Sequence, residues 1–101
     1  MAPVACHVDT IYKTAQPQAR HWNMYPNATA PRGPNYNPSD EFQLQKGAWL
    51  KGLKPMTETD QAYVDMLFAT RVRSLLGVDE IIEDVVAMLE RKGALDNTYS
   101  T

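Results

Sequence analysis

From Val64 to Leu89 the apolar residues Val64, Phe68, Val72, Leu75, Val78, Ile82, Val85 and Leu89 recur in steps of three and four. That rhythm matches a helix of about 3.6 residues per turn and draws one continuous stripe along it. Met66, Leu67, Leu76, Ile81, Val86 and Met88 widen the stripe beyond what a one-sided surface helix needs, so this helix is expected to be covered over much of its circumference. Its start is signalled by Thr57 as N-cap with Asp60 three residues later, an approximate capping box, just after Pro55. Its end is signalled by Arg91 and Lys92, cations suited to a helix C-terminus, and by Gly93, suited to a left-handed cap. The pattern predicts a helix over 57–92. Gly77 is its weak point, costing about 1 kcal/mol against Ala, and marks a bend or a close contact.

The first half has different physics. All seven prolines lie in the first 55 residues, and "YPNATAPRGPNYNPSDEF" is dense in Pro, Asn and Gly, which favour turns and irregular backbone. Ile11, Trp22, Met24, Tyr25, Tyr36 and Phe42 are scattered without a period of about 2 or 3.6. Disordered segments are usually poor in aromatics, so residues 12–50 read as an ordered surface excursion that needs a partner surface. At the other end, "RKGALDNTYST" reads as a helix end followed by the opening of a strand at Thr98 and Tyr99, with no strand for it to join. One long helix and one irregular segment do not make the two packed layers that bury a core. The chain reads as a piece of a larger α/β fold, with a loop-rich segment over 1–56, a helix over 57–93 and the start of a core strand over 94–101.

Composition narrows the class. At 101 residues there is room for one small domain at most, and a net charge of −2 gives no sign of a nucleic-acid binder. The lone Cys6 excludes an internal disulfide framework. No apolar run approaches the roughly 18 residues that span a bilayer, so no membrane association is expected. Residues 1–15 lack the basic start, apolar core and small-residue cleavage site of a signal peptide.

The order of the pieces points further. "APVACH" is followed by the excursion with "APRGPNYN", by "KGAWLKGLKPMT", and by "RVRSLLGVDEIIEDVVAMLERKGALDNTY". This succession, from Ala2 to Tyr99, resembles the sulfatases, especially the N-acetylglucosamine-6-sulfatase and fungal arylsulfatase branch. The resemblance implies an alkaline-phosphatase-like α/β domain in the parent protein, with a short strand near 1–5 and another over 97–101. It implies a calcium-dependent sulfuric ester hydrolase whose nucleophile is a formylglycine made from the Cys of C-x-P-S-R. Its substrate would be an aryl sulfate or a sulfated amino sugar, and its compartment secreted, lysosomal or vacuolar. Neither C-x-P-S-R nor the S-D-N-G that follows L-x-N-T-Y in the family occurs in this chain. The expectation is therefore an internal segment, inactive alone, whose partner is the remainder of the sulfatase fold.

One residue carries family chemistry. His7 corresponds to the His of the A-P-x-x-P-H stretch, which contacts the sulfate or the leaving-group oxygen. An imidazole suits that work because it donates to an oxyanion and titrates near neutral pH. Cys6 stands where the family usually has Pro, and Val8-Asp9 replace the common Ser-Pro; a surface or capping histidine is the plainer alternative. Cys6 itself reads as an incidental thiol, since adjacent residues on an extended chain point to opposite faces. Asp79, Glu80, Glu83 and Asp84 read as a solvated helix face, with Asp79 matching the V-D of the family helix as a structural contact. Arg71 and Arg73 are expected to pair with carboxylates of the parent fold, Trp49 and Leu50 to pack onto it, and Trp22 and Tyr36 to pack under a loop or line a sugar cleft. Asn27-Ala28-Thr29 is an acceptable N-glycosylation sequon, whereas Asn37-Pro38-Ser39 is excluded by its proline.

The competing class is a small helical interaction protein that uses the stripe of residues 60–90 to bind another helix or itself. It leaves the ordered-looking first half unexplained. A third reading is a genuine but inactive truncated sulfatase product.

Overall fold

The computed structural model of the chain describes residues 6–99, in which two α-helices, α1 (Asp40–Leu44) and α2 (Glu58–Arg91), are joined by loops and short 3₁₀ turns. The start of α2 follows from its sequence. The Thr57 hydroxyl accepts from the Asp60 amide at 3.2 Å, and the Asp60 carboxylate accepts from the Thr57 amide at 2.9 Å, so the capping box is complete. The end follows likewise. Gly93 adopts φ +62 and donates to Glu90, while Ala94 donates to Leu89, the paired bonds of a Schellman cap. At about 1.5 Å per residue the 34 residues of α2 set the longest dimension of the molecule, 58 Å.

The first half is ordered by wrapping α2. From Cys6 to His21 the chain runs along the helix toward Glu80, then returns through Met24 and Tyr25 at Arg73 to Ala30 and Arg32 at Asp65. Thr70, Arg73, Gly77 and Glu80 lie on one side of the helix at about 100° per residue, roughly opposite Val64, Phe68, Leu75, Val78 and Ile82. The excursion thus covers the small and polar side of α2 most closely and leaves the apolar stripe partly open: Val64, Phe68 and Val78 are half-buried, while Leu75 is 45% and Ile82 55% exposed.

The buried seam is correspondingly thin. Thr14, Ala15, Pro17 and His21 of the loop are buried, as are Ala69, Thr70 and Gly77 of the helix. These side chains are small, and each buried methyl contributes about 0.8 kcal/mol. Hydrogen bonds of about 1 kcal/mol each therefore matter as much as apolar burial here. The Thr14 and Thr70 hydroxyls meet at 2.5 Å, and the Thr70 hydroxyl donates a shared hydrogen bond to the carbonyls of Met66 and Leu67. The loop also lies close over Gly77, where a Cβ would meet Gln18 Nε2 at 2.9 Å. Of the two readings of Gly77, bend or close contact, the contact is found.

Several expectations change. Helix α1 had no rhythm to announce it. It starts after Pro38 with Asp40 and Glu41 in its first turn, which suits the helix dipole, and Gln43 ties it to the Leu50 carbonyl. The strand expected over 97–101 is not formed among the described residues. Leu95–Asn97 is a 3₁₀ turn, and Thr98 is extended at φ −123 and ψ 125 with no neighbouring strand to accept its backbone groups. The strand expected near 1–5 lies outside the described residues, as do Ser100 and Thr101. Cys6 has φ 63, so the Cys6–His7 pair does not sit on extended backbone.

The whole is far from close-packed. The radius of gyration is 19.0 Å, against about 13 Å for a compact domain of this length. The accessible surface is 8245 Å², against about 5,800 Å² for a folded monomer of this mass.

Candidate functional site

His7 is exposed at the outer end of the loop, one residue beyond the thiol of Cys6, which reaches the Arg71 carbonyl at 3.5 Å. Its Nδ1 donates to the Val8 carbonyl at 2.9 Å, so the backbone next to it holds one ring nitrogen and leaves Nε2 as the nitrogen available to a ligand. Asp9 stiffens the turn that follows. Its Oδ1 accepts from the amides of Ile11 and Tyr12 at 2.7 and 2.9 Å, which shapes the chain as it turns onto the helix.

The densest polar cluster lies elsewhere. The Glu80 carboxylate accepts from Arg20 through Nε and Nη2 and from His21 Nε2 at 2.7 Å. The 3₁₀ turn Ala19–His21 places both donors on the helix, and Gln18 reaches Gly77 one turn below. Arg20 first, then His21, holds the Glu80 carboxyl down at about 2, well below the usual carboxylate range. The His21 ring is buried, and among the described residues its Nδ1 finds no partner. The reading of Glu80 as part of a solvated face is therefore corrected: Asp79, Glu83 and Asp84 are exposed, but Glu80 anchors the loop. Arg20 and His21 carry no sequence signal for this role, because the residues they meet lie 60 and 59 positions away.

A second carboxylate does the same for the returning strand of the loop. Asp65 accepts from Arg32 at 2.7 Å and from the Ala30 amide at 2.9 Å, and these donors, Arg32 first, hold its carboxyl below the usual range. The Arg32 guanidinium lies 4.1 Å above the ring of Tyr36, so Tyr36 packs under the loop. Within the chain Arg73 holds backbone carbonyls, donating to Met24 at 2.7 Å and Tyr25 at 3.4 Å. Asn37 grips the backbone of Met56 from both sides, accepting at 2.6 Å and donating at 3.1 Å, and so sets the approach to α2. Trp22 is half-exposed and Trp49 is 73% exposed.

The donor set of the described residues gives no place for the calcium that the resemblance implies. Among the described residues no group of three or more His, Cys, Asp or Glu gathers closely enough to hold a metal ion. Glu80 and Asp65, the best-placed carboxylates, already answer arginines. Among the described residues no helix is long and apolar enough to cross a membrane.

No family model matches the chain, and no solved structure matches it. It is 37% identical to an arylsulfatase of Volvox carteri over 96% of its length, and 37% identical to an arylsulfatase of Chlamydomonas reinhardtii over 98%. It is 36% identical to an N-acetylglucosamine-6-sulfatase of Bos taurus over 85%. The chain spans only 15%, 17% and 15% of the lengths of these three proteins. Alignment along nearly all of this chain with one short stretch of each relative, across algal and mammalian proteins, makes it a sulfatase fragment.

Proposed function

We propose that this chain is one segment of the catalytic domain of a sulfuric ester hydrolase, and that His7 stands at the sulfate or leaving-group side of its active site. The observation that carries the reading is the 37% identity to an arylsulfatase over 96% of the chain. In the proposed parent, an alkaline-phosphatase-like α/β domain covers the apolar stripe of α2. The open state of Leu75 and Ile82 supports that placement, because a stripe this wide is unfavourable in water. The calcium ion and the formylglycine nucleophile belong to residues outside this chain, where they would polarise and attack the sulfate ester. What this chain supplies is the His7 imidazole, with Nδ1 fixed by the Val8 carbonyl and Nε2 able to donate to a sulfate or departing alkoxide oxygen. The substrate class is an aryl sulfate or a sulfated amino sugar, after the named activities of the relatives, and the compartment is secreted or lysosomal. Without its remaining parts the chain is expected to be inactive.

The test uses the complete reading frame that contains this chain. His7→Ala is expected to lower kcat/KM for a chromogenic aryl sulfate or N-acetylglucosamine 6-sulfate by about 10² to 10⁴ with an unchanged melting temperature. Full activity in His7→Ala removes His7 from the site. A complete protein that hydrolyses no sulfate ester removes the hydrolase reading and leaves the helical interaction protein as the case to pursue.

A further inference from the structure

The turn that carries the sequon lies on the side of α2 opposite its apolar stripe. Tyr25, Pro26, Asn27 and Ala28 form a β-turn closed by the Ala28 amide donating to the Tyr25 carbonyl at 3.1 Å, with proline at the second position, where its fixed φ belongs. Asn27 occupies the third position, and both Asn27 and Thr29 are exposed. The turn is held by that backbone bond and by the Arg73 guanidinium on the carbonyls of Met24 and Tyr25, so its hold on the helix does not run through the Asn27 carboxamide. Beside it an open, shallow depression is floored by Met66 and Ala69 and edged by Asp65 and Arg73, which gives an attached sugar room to lie against the helix.

The position decides the matter more than the motif. A parent domain packed on Leu75, Val78 and Ile82 leaves the loop-bearing side of α2 facing outward, and Asn27 with it. We infer that Asn27 carries an N-linked glycan in the mature protein; this rests on the secretory part of the proposed function. In the transfer, the Asn27 amide nitrogen forms a C–N bond to the anomeric carbon of an oligosaccharide carried on a lipid diphosphate. The C–O bond to the diphosphate breaks, the lipid diphosphate leaves with its electron pair, and the nitrogen gives up one proton. The donor is thus a lipid-diphosphate-linked oligosaccharide, and the Thr29 hydroxyl is the second element of recognition.

The experiment expresses the complete reading frame in a eukaryotic host and isolates the tryptic peptide His21–Arg32, which contains Asn27 as its sole sequon. Treatment with a glycan-releasing amidase in heavy-oxygen water is expected to convert Asn27 to a labelled Asp. Asn27→Gln and Thr29→Ala are each expected to abolish the label and remove one glycan's worth of gel shift, while Thr29→Ser keeps both. A peptide recovered only in unmodified form overturns the inference. Sulfate-ester hydrolysis measured on the same preparations separates the two claims: an active enzyme with unmodified Asn27 sinks the glycan alone, and a glycosylated protein without activity sinks the hydrolase alone.

Discussion

At Glu80 one carboxylate answers Arg20 and His21 together, and its low proton affinity sets the pH at which the loop lets go. The folded carboxyl titrates at about 2 against an ordinary value of 4.5, so its contribution is complete above about 4.5 and is lost as pH falls from there toward 2. The clamp therefore stays shut at mildly acidic pH. Trp22 follows His21 directly and reports on the clamp: in a Trp49→Phe background its emission is expected to change between pH 4.5 and 2. Glu80→Gln should already show the released signal at neutral pH; a Glu80→Gln protein with the wild-type transition would assign the change to another group, Asp65 first. None of this was legible in the sequence, where Glu80 sits among Asp79, Glu83 and Asp84 and reads as one more solvated acid. Local spacing describes a residue's own helix, whereas its partners here lie about sixty positions away on a stretch with no period. His7 is the converse case: family resemblance singles it out, and the structure shows a free-standing ring held by its own backbone.

At the scale of the helix, both ends were legible because caps are local chemistry. Thr57, Asp60 and Gly93 are specified within four residues of where they act, and α2 runs from Glu58 to Arg91 as the rhythm implies. Thr57→Ala is expected to cost about 1 kcal/mol and to raise amide exchange in the first turn only; exchange rising along the whole helix would show the cap to be holding more than its own turn. Gly77 sets two effects against each other. Ala gains about 1 kcal/mol of helix propensity, while its Cβ meets only the far end of the Gln18 side chain, which swings aside cheaply. Gly77→Ala should therefore raise helicity and leave the loop in place, whereas Gly77→Leu should expel Gln18 and speed exchange across residues 14–25. Equal exchange in the two variants would remove Gly77 from the contact. Helix α1 was not legible, because five residues are too few to show a period, and Thr98 is extended without pairing among the described residues, since strand propensity counts for little without a neighbour.

For the molecule as a whole, the stripe was legible and its cover was not. The sequence calls for cover over much of α2, and the excursion supplies it chiefly on the polar side, leaving Leu75 and Ile82 exposed. The surface exceeds that of a compact monomer by about 2,500 Å². The 101-residue chain is expected to show helix by circular dichroism, to bind an apolar dye and to give no cooperative thermal transition. A sharp transition whose midpoint rises with concentration would instead favour self-association through the stripe. In the complete protein, Leu75→Asp with Ile82→Asp should abolish soluble expression, because both charges would fall in the contact with the proposed parent domain; normal soluble expression of that double variant would mean that nothing packs there.

The wrapping of an early segment onto a late helix also sets a clock. His21 leaves the ribosome 59 residues before Glu80, its anchor, which at roughly 5 to 20 residues per second is a wait of about 3 to 12 seconds. During that interval residues 6–32 have no helix to lie on, and Cys6, Lys13 and Tyr25, all in left-handed backbone conformations, lack their contacts with Arg71, Tyr63 and Arg73. Nascent chains halted just before and just after residue 80 emerges from the ribosome should differ sharply in protease sensitivity around Arg20 and Arg32. The turn at Asn27 is thus at its loosest while it is being made, and is tied to Arg73 only when the second half of the chain arrives.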